Sequence, residues 1–402
     1  MRSRLFASTF HGAAALLLLC FYCSLELWPA LASPPVSGDW QINSNTEVVD
    51  LEEILPEAIV VTDGVTFTVH NSIFSFPSAA NKAAIHCQGP NAKIVLNGTT
   101  LKDMPQAGVT GCVQIEITDS IIESGVSPTC AEAQCYEAVG LDGQSVEGFV
   151  ENSVVRNFYK NIFMAGVSNL RITNSLFEHS KDSPGEDGEL QFVEPNTAQG
   201  VTWEGGFLLL ENNLIQDLTY DALELYSVAN VTFKNNIVKN VGSGFHFDRG
   251  HDNSGDVRLI HALSNTFEDS SIRMEYTHDS IIDSNTFIGT NSVVQCKHCS
   301  GIVIRNNKFD VSLCYAIHIS DSKDVTLENN EGTDSFVSSF KALAVNPGCV
   351  FTSGSPQSIG AIIVAFMVLF SLLGSFAFCV RCCIKRLKRK NKDKEEIGLM
   401  KP

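Results

Sequence analysis

The chain has 402 residues, 45 of them acidic and 28 basic, for a net charge of −17, and 44% are hydrophobic. That apolar content supports a sizeable folded core rather than a disordered chain. The acidic balance is expected to repel nucleic acid and polyanionic sugars unless a cation bridges the two.

Arg2 and Arg4 precede an apolar run, Ala13–Tyr22, and Ala30-Leu31-Ala32 supplies small residues at cleavage spacing. The pattern predicts a secretory signal peptide over 1–32. Pro29 and the shortness of the run argue against a membrane anchor there. Trp40 and the stretch 48–55, "VVDLEEIL", are expected to cap the domain that follows, since an open β-edge invites aggregation.

A polar-polar-x-apolar phrase then recurs along the chain. It reads Asn71-Ser72-Ile73-Phe74, Asp119-Ser120-Ile121-Ile122, Asn152-Ser153-Val154-Val155 and Asn174-Ser175-Leu176-Phe177. It continues from Asn212, Asn235, Ser264, Ser284 and Asn306 and closes with the degenerate copy Asn329-Asn330-Glu331-Gly332. Taking the last letter of each, the shortest steps are 20, 22, 22, 23 and 23 residues, and the longer ones read as a skipped copy or insertions. Between copies, apolar and polar residues alternate over short runs, as in "ALELYSVANVTFKNNIV". Period two means strand, and a repeat of about 22 residues holds three short strands with their turns. The fold class predicted is all-β: a parallel β-helix plus one C-terminal transmembrane helix. Asn at the bend tolerates a left-handed backbone and bonds the same Asn one coil away, while the next apolar residue fills the core.

The coil length, the Asn-rich bend and the "DALELYSVANVTFKNNIV" type of repeat resemble the right-handed parallel β-helix of pectate-lyase-like proteins over about residues 60–335. The resemblance implies a scaffold that hosts lyases, glycoside hydrolases, epimerases and binding proteins. Of the polygalacturonase motifs Asn-Thr-Asp, Asp-Asp, Gly-His-Gly and Arg-Ile-Lys, only Gly250-His251 and Arg171-Ile172 stand here, followed by Asp252 and Thr173. The Arg-x-Pro-x-x-Arg stretch of pectate lyases is absent, so neither activity is implied.

The repeat supplies a register. Phe163, Gln191, Glu224, His246, Arg273, Gln295 and His318 fall at one outward position of successive coils. Two residues on come Ala165, Val193, Tyr226, Asp248, Glu275, Lys297 and Ser320. Asp248 and Glu275 become neighbours, flanked by His246 and Arg273. Two close carboxylates push one pKa upward, which makes an acid and a base, and the histidine and arginine can move a proton or hold a sugar carboxylate. These four are the candidate catalytic residues. Glu224, Tyr226, Gln295, Lys297 and His318 are the candidate carbohydrate contacts. A solvated charge ladder explains the same row without chemistry. The polar insertions 179–200 and 249–256 enter beside it, and loops walling a rigid face make a cleft. Asp187, Glu189, Asp252 and Asp256 in them can bind calcium but match no calcium motif, so no metal or cofactor is assigned.

Residues 333–352 are expected to cap the last coil. Beyond them, 358–380 carries no charge over 23 residues, enough to cross a hydrocarbon core of about 30 Å as a helix. "RCCIKRLKRKNKDKEE" follows, and basic residues beside a span mark the cytoplasmic side. The expected organisation is signal peptide 1–32, N-terminal cap 33–60, parallel β-helix 61–335, C-terminal cap and short stalk 336–357, transmembrane helix 358–380 and basic tail 381–402. The outer part then holds 17 basic against 41 acidic residues. An extracellular glycan or glycoprotein is its expected partner, and anionic inner-leaflet lipid that of the tail. Cys379, Cys382 and Cys383 at the inner boundary are candidate acylation sites. The stretch 395–400, "EEIGLM", resembles an acidic dileucine-type sorting signal, so the expected location is the plasma or endosomal membrane.

Eight cysteines lie in the outer part: Cys87, Cys112, Cys130, Cys135, Cys296, Cys299, Cys314 and Cys349. An even number in an oxidising compartment makes them disulfide candidates, with Cys130 and Cys135 the nearest local pair. No second pair at metal spacing accompanies Cys296-x-x-Cys299, which argues against zinc. The sequons at Asn97 and Asn230 mark glycosylation.

Overall fold

The computed structural model describes residues 34–77, 83–104, 107–125, 139–178, 190–193, 206–218, 221–249, 255–290, 293–311 and 316–332. Among them all regular structure is strand, and the strands pair in parallel. One coil runs through Leu223–Tyr226, Ala229–Lys234 and Ile237–Val241. Each strand lies on its counterpart in the next coil: Phe245–Asp248, Val257–Leu263 and Thr266–Glu268. The result is three stacks, two joined in a 23-stranded sheet and the third an 11-stranded sheet. Each strand of the third stack belongs to one coil, from Glu52–Ile54 to Lys308–Val311.

The expected cap is part of the solenoid. Trp40–Ile42 pairs with Ile59–Val61, Thr46–Val49 with Thr66–His70, and Glu52–Ile54 with Ile73–Ser75. Trp40 is buried edge-on against Phe67 and Phe74 at 5.7 and 6.2 Å, closing the end of the core. The exposed, acidic strand Glu52–Ile54 blunts the open edge. The long step between Phe74 and Ile122 holds one further coil, whose Leu101 pairs with both.

The recurring phrase makes each bend by a division of labour. Its first residue adopts the left-handed conformation, with φ of 46° at Asn71, 50° at Asn152, 55° at Asn235 and 53° at Asn306. Its second residue is buried and bonds along the stack. From Ser120 to Ser175 a hydroxyl accepts from the backbone N–H of the previous coil. From Asn213 an amide takes over: Asn213, Asn236, Asn265 and Asn285 each donate Nδ2 to the Oδ1 of the Asn one coil on, at 2.9–3.0 Å. The same oxygens accept the backbone N–H groups at 2.8–2.9 Å. The fourth residue fills the core, and Phe267, Phe287 and Phe309 stack 4.9 and 4.8 Å apart within 8° of parallel.

Among the described residues no helix is long and apolar enough to cross a membrane. The signal peptide, the 358–380 span, the C-terminal cap, the tail with Cys379, Cys382 and Cys383, and Cys130, Cys135, Cys314 and Cys349 all lie outside the described residues. Cys87 and Cys112 form a disulfide between adjoining coils, with Cα atoms 4.9 Å apart. Cys296 and Cys299 are instead buried free thiols. The Cys296 thiol donates to Cys299, which pushes Cys296 up and Cys299 down. Asn97 is exposed at a strand end, and exposed Asn230 donates its amide to the Gly206 carbonyl at 3.0 Å.

Candidate functional site

The first stack carries the outward row. Backbone pairing runs Phe163, Gln191, Glu224, His246, Arg273, Gln295 and His318. The second row runs from Ala165 through Val193 and Tyr226 to Asp248, and resumes from Glu275 through Lys297 to Ser320. Outward is not the same as exposed, however. Glu224 is 0% exposed and Gln191 6%, so Glu224 is no direct sugar contact. Lys160 donates to Gln191 Oε1 at 2.5 Å, and Gln191 Nε2 donates to Glu224 Oε2 at 3.1 Å.

On its other side Glu224 meets His246, whose Nδ1 lies 3.8 Å from Glu224 Oε1 and 3.3 Å from Asp221 Oδ2. Asp221 stands just before the strand, outside its alternation, and sequence reasoning passed over it. Burial alone would push the imidazole down. Hydrogen bonding and attraction to Asp221 and Glu224 outweigh it and raise His246 to about 9. The ring is therefore an imidazolium at neutral pH, fixed between two carboxylates. Its Nε2 is buried and has no partner among the described residues. Tyr226 stands edge-on to it, with ring centroids 6.4 Å apart. One atom from each of Asp221, Glu224 and His246 lies within 4.8 Å of the others, a spacing that suits a metal. A metal there would have to displace the imidazole proton that the two carboxylates hold.

Asp248 lies beside this cluster on the same strand. Burial pushes its carboxyl up; the Arg249 N–H, donating at 2.7 Å, and His246 pull it down, and Glu275 one coil on adds to the rise. The two carboxylates therefore sense each other, but desolvation is the larger cause. Glu275 also accepts from Lys297 at 3.1 Å. Arg273 makes no ion pair among the described residues and is the unneutralised cation of the row. Arg249 lies over the Tyr276 ring at 3.5 Å, and Tyr276 stacks on His298 at 4.8 Å. None of these three drew attention in the sequence, because each sits at or beyond a bend. Of the insertion acids, Asp256 pairs with His278 at 2.8 Å, while Asp187, Glu189 and Asp252 lie outside the described residues.

The family model described as the right handed beta helix region matches residues 107–258, which lie within the parallel solenoid. Among solved structures the chain is similar to the Dettilon tailspike protein, at 12% identity and a TM-score of 0.49, over 73% of this chain and 62% of that one. The chain thus spans less than two thirds of that protein's length. It is also similar to the A-module of a mannuronan C-5 epimerase from Azotobacter vinelandii, at 12% identity and a TM-score of 0.40, over 74% and 91% of the two chains. No curated protein sequence matches it.

Proposed function

We propose that this is a membrane-anchored protein whose extracellular β-helix binds a glycan along the first stack and performs acid–base chemistry on it there. The observation that carries this reading is the Asp221–Glu224–His246 cluster. A carboxylate that is 0% exposed beside an imidazolium is an expensive element to hold on a sheet face. Buried titratable groups with shifted pKa values are characteristic of working sites.

The roles follow from charge. His246 presents a fixed positive charge that stabilises an oxyanion or carboxylate, and Arg273 one coil away holds the same kind of group bidentately. Asp248, half-buried with a raised pKa, donates or accepts the proton, and Glu275 is its charged partner. Glu224 and Asp221 position the imidazolium and do not touch the substrate. Tyr226, Gln295, Lys297 and His318 extend the glycan contact along the face. The reactions compatible with this set are hydrolysis, elimination and epimerisation of a sugar chain.

A recognition role without turnover is the second reading. It is favoured by Lys297 on Glu275, an alternation of charge that stabilises a bare sheet face. One experiment separates the two: the full-length chain is screened for glycan binding, and whatever binds is tested for turnover. With the Asp248→Asn, Glu275→Gln double variant, binding should persist and turnover collapse. Undiminished turnover rejects the acid–base assignment; binding without turnover in the wild type leaves a recognition protein.

A further inference from the structure

The second stack carries a groove that the His246 site does not use. It is lined by Lys93, Gln114, Glu116, Glu147, Phe149 and Arg171 among others, with a volume of about 380 Å³. It is built on a local irregularity. Where Val139–Glu151 pairs with Lys160–Thr173, the register shifts between Val146 and Glu147. Gly148, at φ 127°, sits so close to the neighbouring coil that a Cβ there would meet the Ile115 carbonyl oxygen at 1.8 Å. Only glycine fits, and the next residue, Phe149, stands on the outward side between Glu116 and Arg171 of the adjoining coils.

Phe149 differs from three other outward aromatics. Phe163 has the Lys160 ammonium 5.2 Å from its ring, Tyr226 meets His246, and Tyr276 lies between Arg249 and His298. Phe149 has no ring partner among the described residues. Arg171 beside it is exposed and makes no ion pair among them, whereas Lys93 is held by Glu116 at 2.6 Å. A bare aromatic face next to an uncommitted guanidinium, rimmed by Gln114 and Glu147, matches one ligand chemistry. The C–H face of a sugar ring packs on the aromatic, its hydroxyls bond to the amide and carboxylate, and an acidic substituent pairs with the arginine.

We propose that the Phe149–Arg171 groove is a second glycan-binding site, for a sugar ring bearing a carboxylate or sulfate, separate from the His246 face. It lies on a different stack of the solenoid, so it stands whether or not the first stack performs chemistry.

The test uses the full-length chain in detergent with three labelled hexasaccharides on one backbone: neutral, carboxylated and sulfated. Wild type should bind a charged probe more tightly than the neutral one. Phe149→Ala and Arg171→Ala should each weaken that binding about tenfold, the equivalent of about 1.4 kcal/mol, and Phe149→Tyr should retain it. Lys239→Ala, on the third stack, should leave this binding unchanged. Arg171 is exposed, so its variant keeps the test valid if Phe149→Ala fails to fold. Equal affinity for the three probes, or alanine variants that bind like wild type, would overturn the proposal. So would loss of charged-probe binding in His246→Gln alone, which would move the ligand to the first stack.

Discussion

Asn236 and Glu224 lie in one coil and are both buried, at 1% and 0% exposure, yet opposite arguments keep them there. Asn236 is one rung of a ladder. Its amide donates to Asn265 Oδ1 and to the Leu210 carbonyl, its oxygen accepts from Asn213, and the same arrangement recurs at each bend nearby. A satisfied neutral amide costs little to bury and adds directionality, so the solution can be copied coil after coil. Glu224 is a charge held by Gln191 and by the His246 imidazolium, an arrangement found once among the described coils. The difference teaches where to look in a repeat protein. Buried polarity that repeats is architecture, and buried polarity that breaks the repeat is a site.

Breaking a ladder rung should have the largest effect. Asn265→Ala leaves the Asn236 N–H and amide donors buried without their acceptor, and should cost about 4 kcal/mol. Denaturant unfolding of the full-length chain measures it. A loss under 1 kcal/mol would mean that the ladder is replaceable.

The cluster responds to pH, and the ladder does not. His246 is raised from 6.5 to about 9, so its share of stability is complete below pH 6.5 and is lost as pH rises through 9. That share is about 3 kcal/mol. The stability gap between wild type and His246→Gln should narrow between pH 6.5 and 9.5, and Glu224→Gln should shift the midpoint of that change downward. A gap that stays constant would remove the imidazolium assignment.

A smaller effect of opposite sign belongs to Asp248, whose carboxyl is raised by burial. Its contribution is present at acid pH and lost as pH rises through its folded value. Asp248→Asn at neutral pH should therefore leave stability equal or higher by less than about 1 kcal/mol. A marked loss would show that the charge serves the fold. The smallest change is expected for Lys297→Ala. That ion pair with Glu275 has half its lysine side chain exposed, and its removal should move stability by less than about 1 kcal/mol.

The sequence by itself determined the solenoid, the residue that bends the chain at each coil and the outward rows. All three follow from local rules: the two-residue side-chain period of a strand, the tolerance of Asn for left-handed angles, and the near-constant coil length that brings equal positions into line. The row from Phe163 to His318 was legible for that reason, and so was the nearness of Asp248 to Glu275. Tertiary structure alone decided which outward residues are covered. Glu224 is outward by alternation but buried by Gln191 and His246, and Asp221 reaches the same imidazole from before the strand, where no period points. Phe149 has no ring partner among the described residues, whereas Tyr276 is covered from both sides. Coverage depends on residues one coil away, and a pattern read along a single strand holds no information about what stands over it.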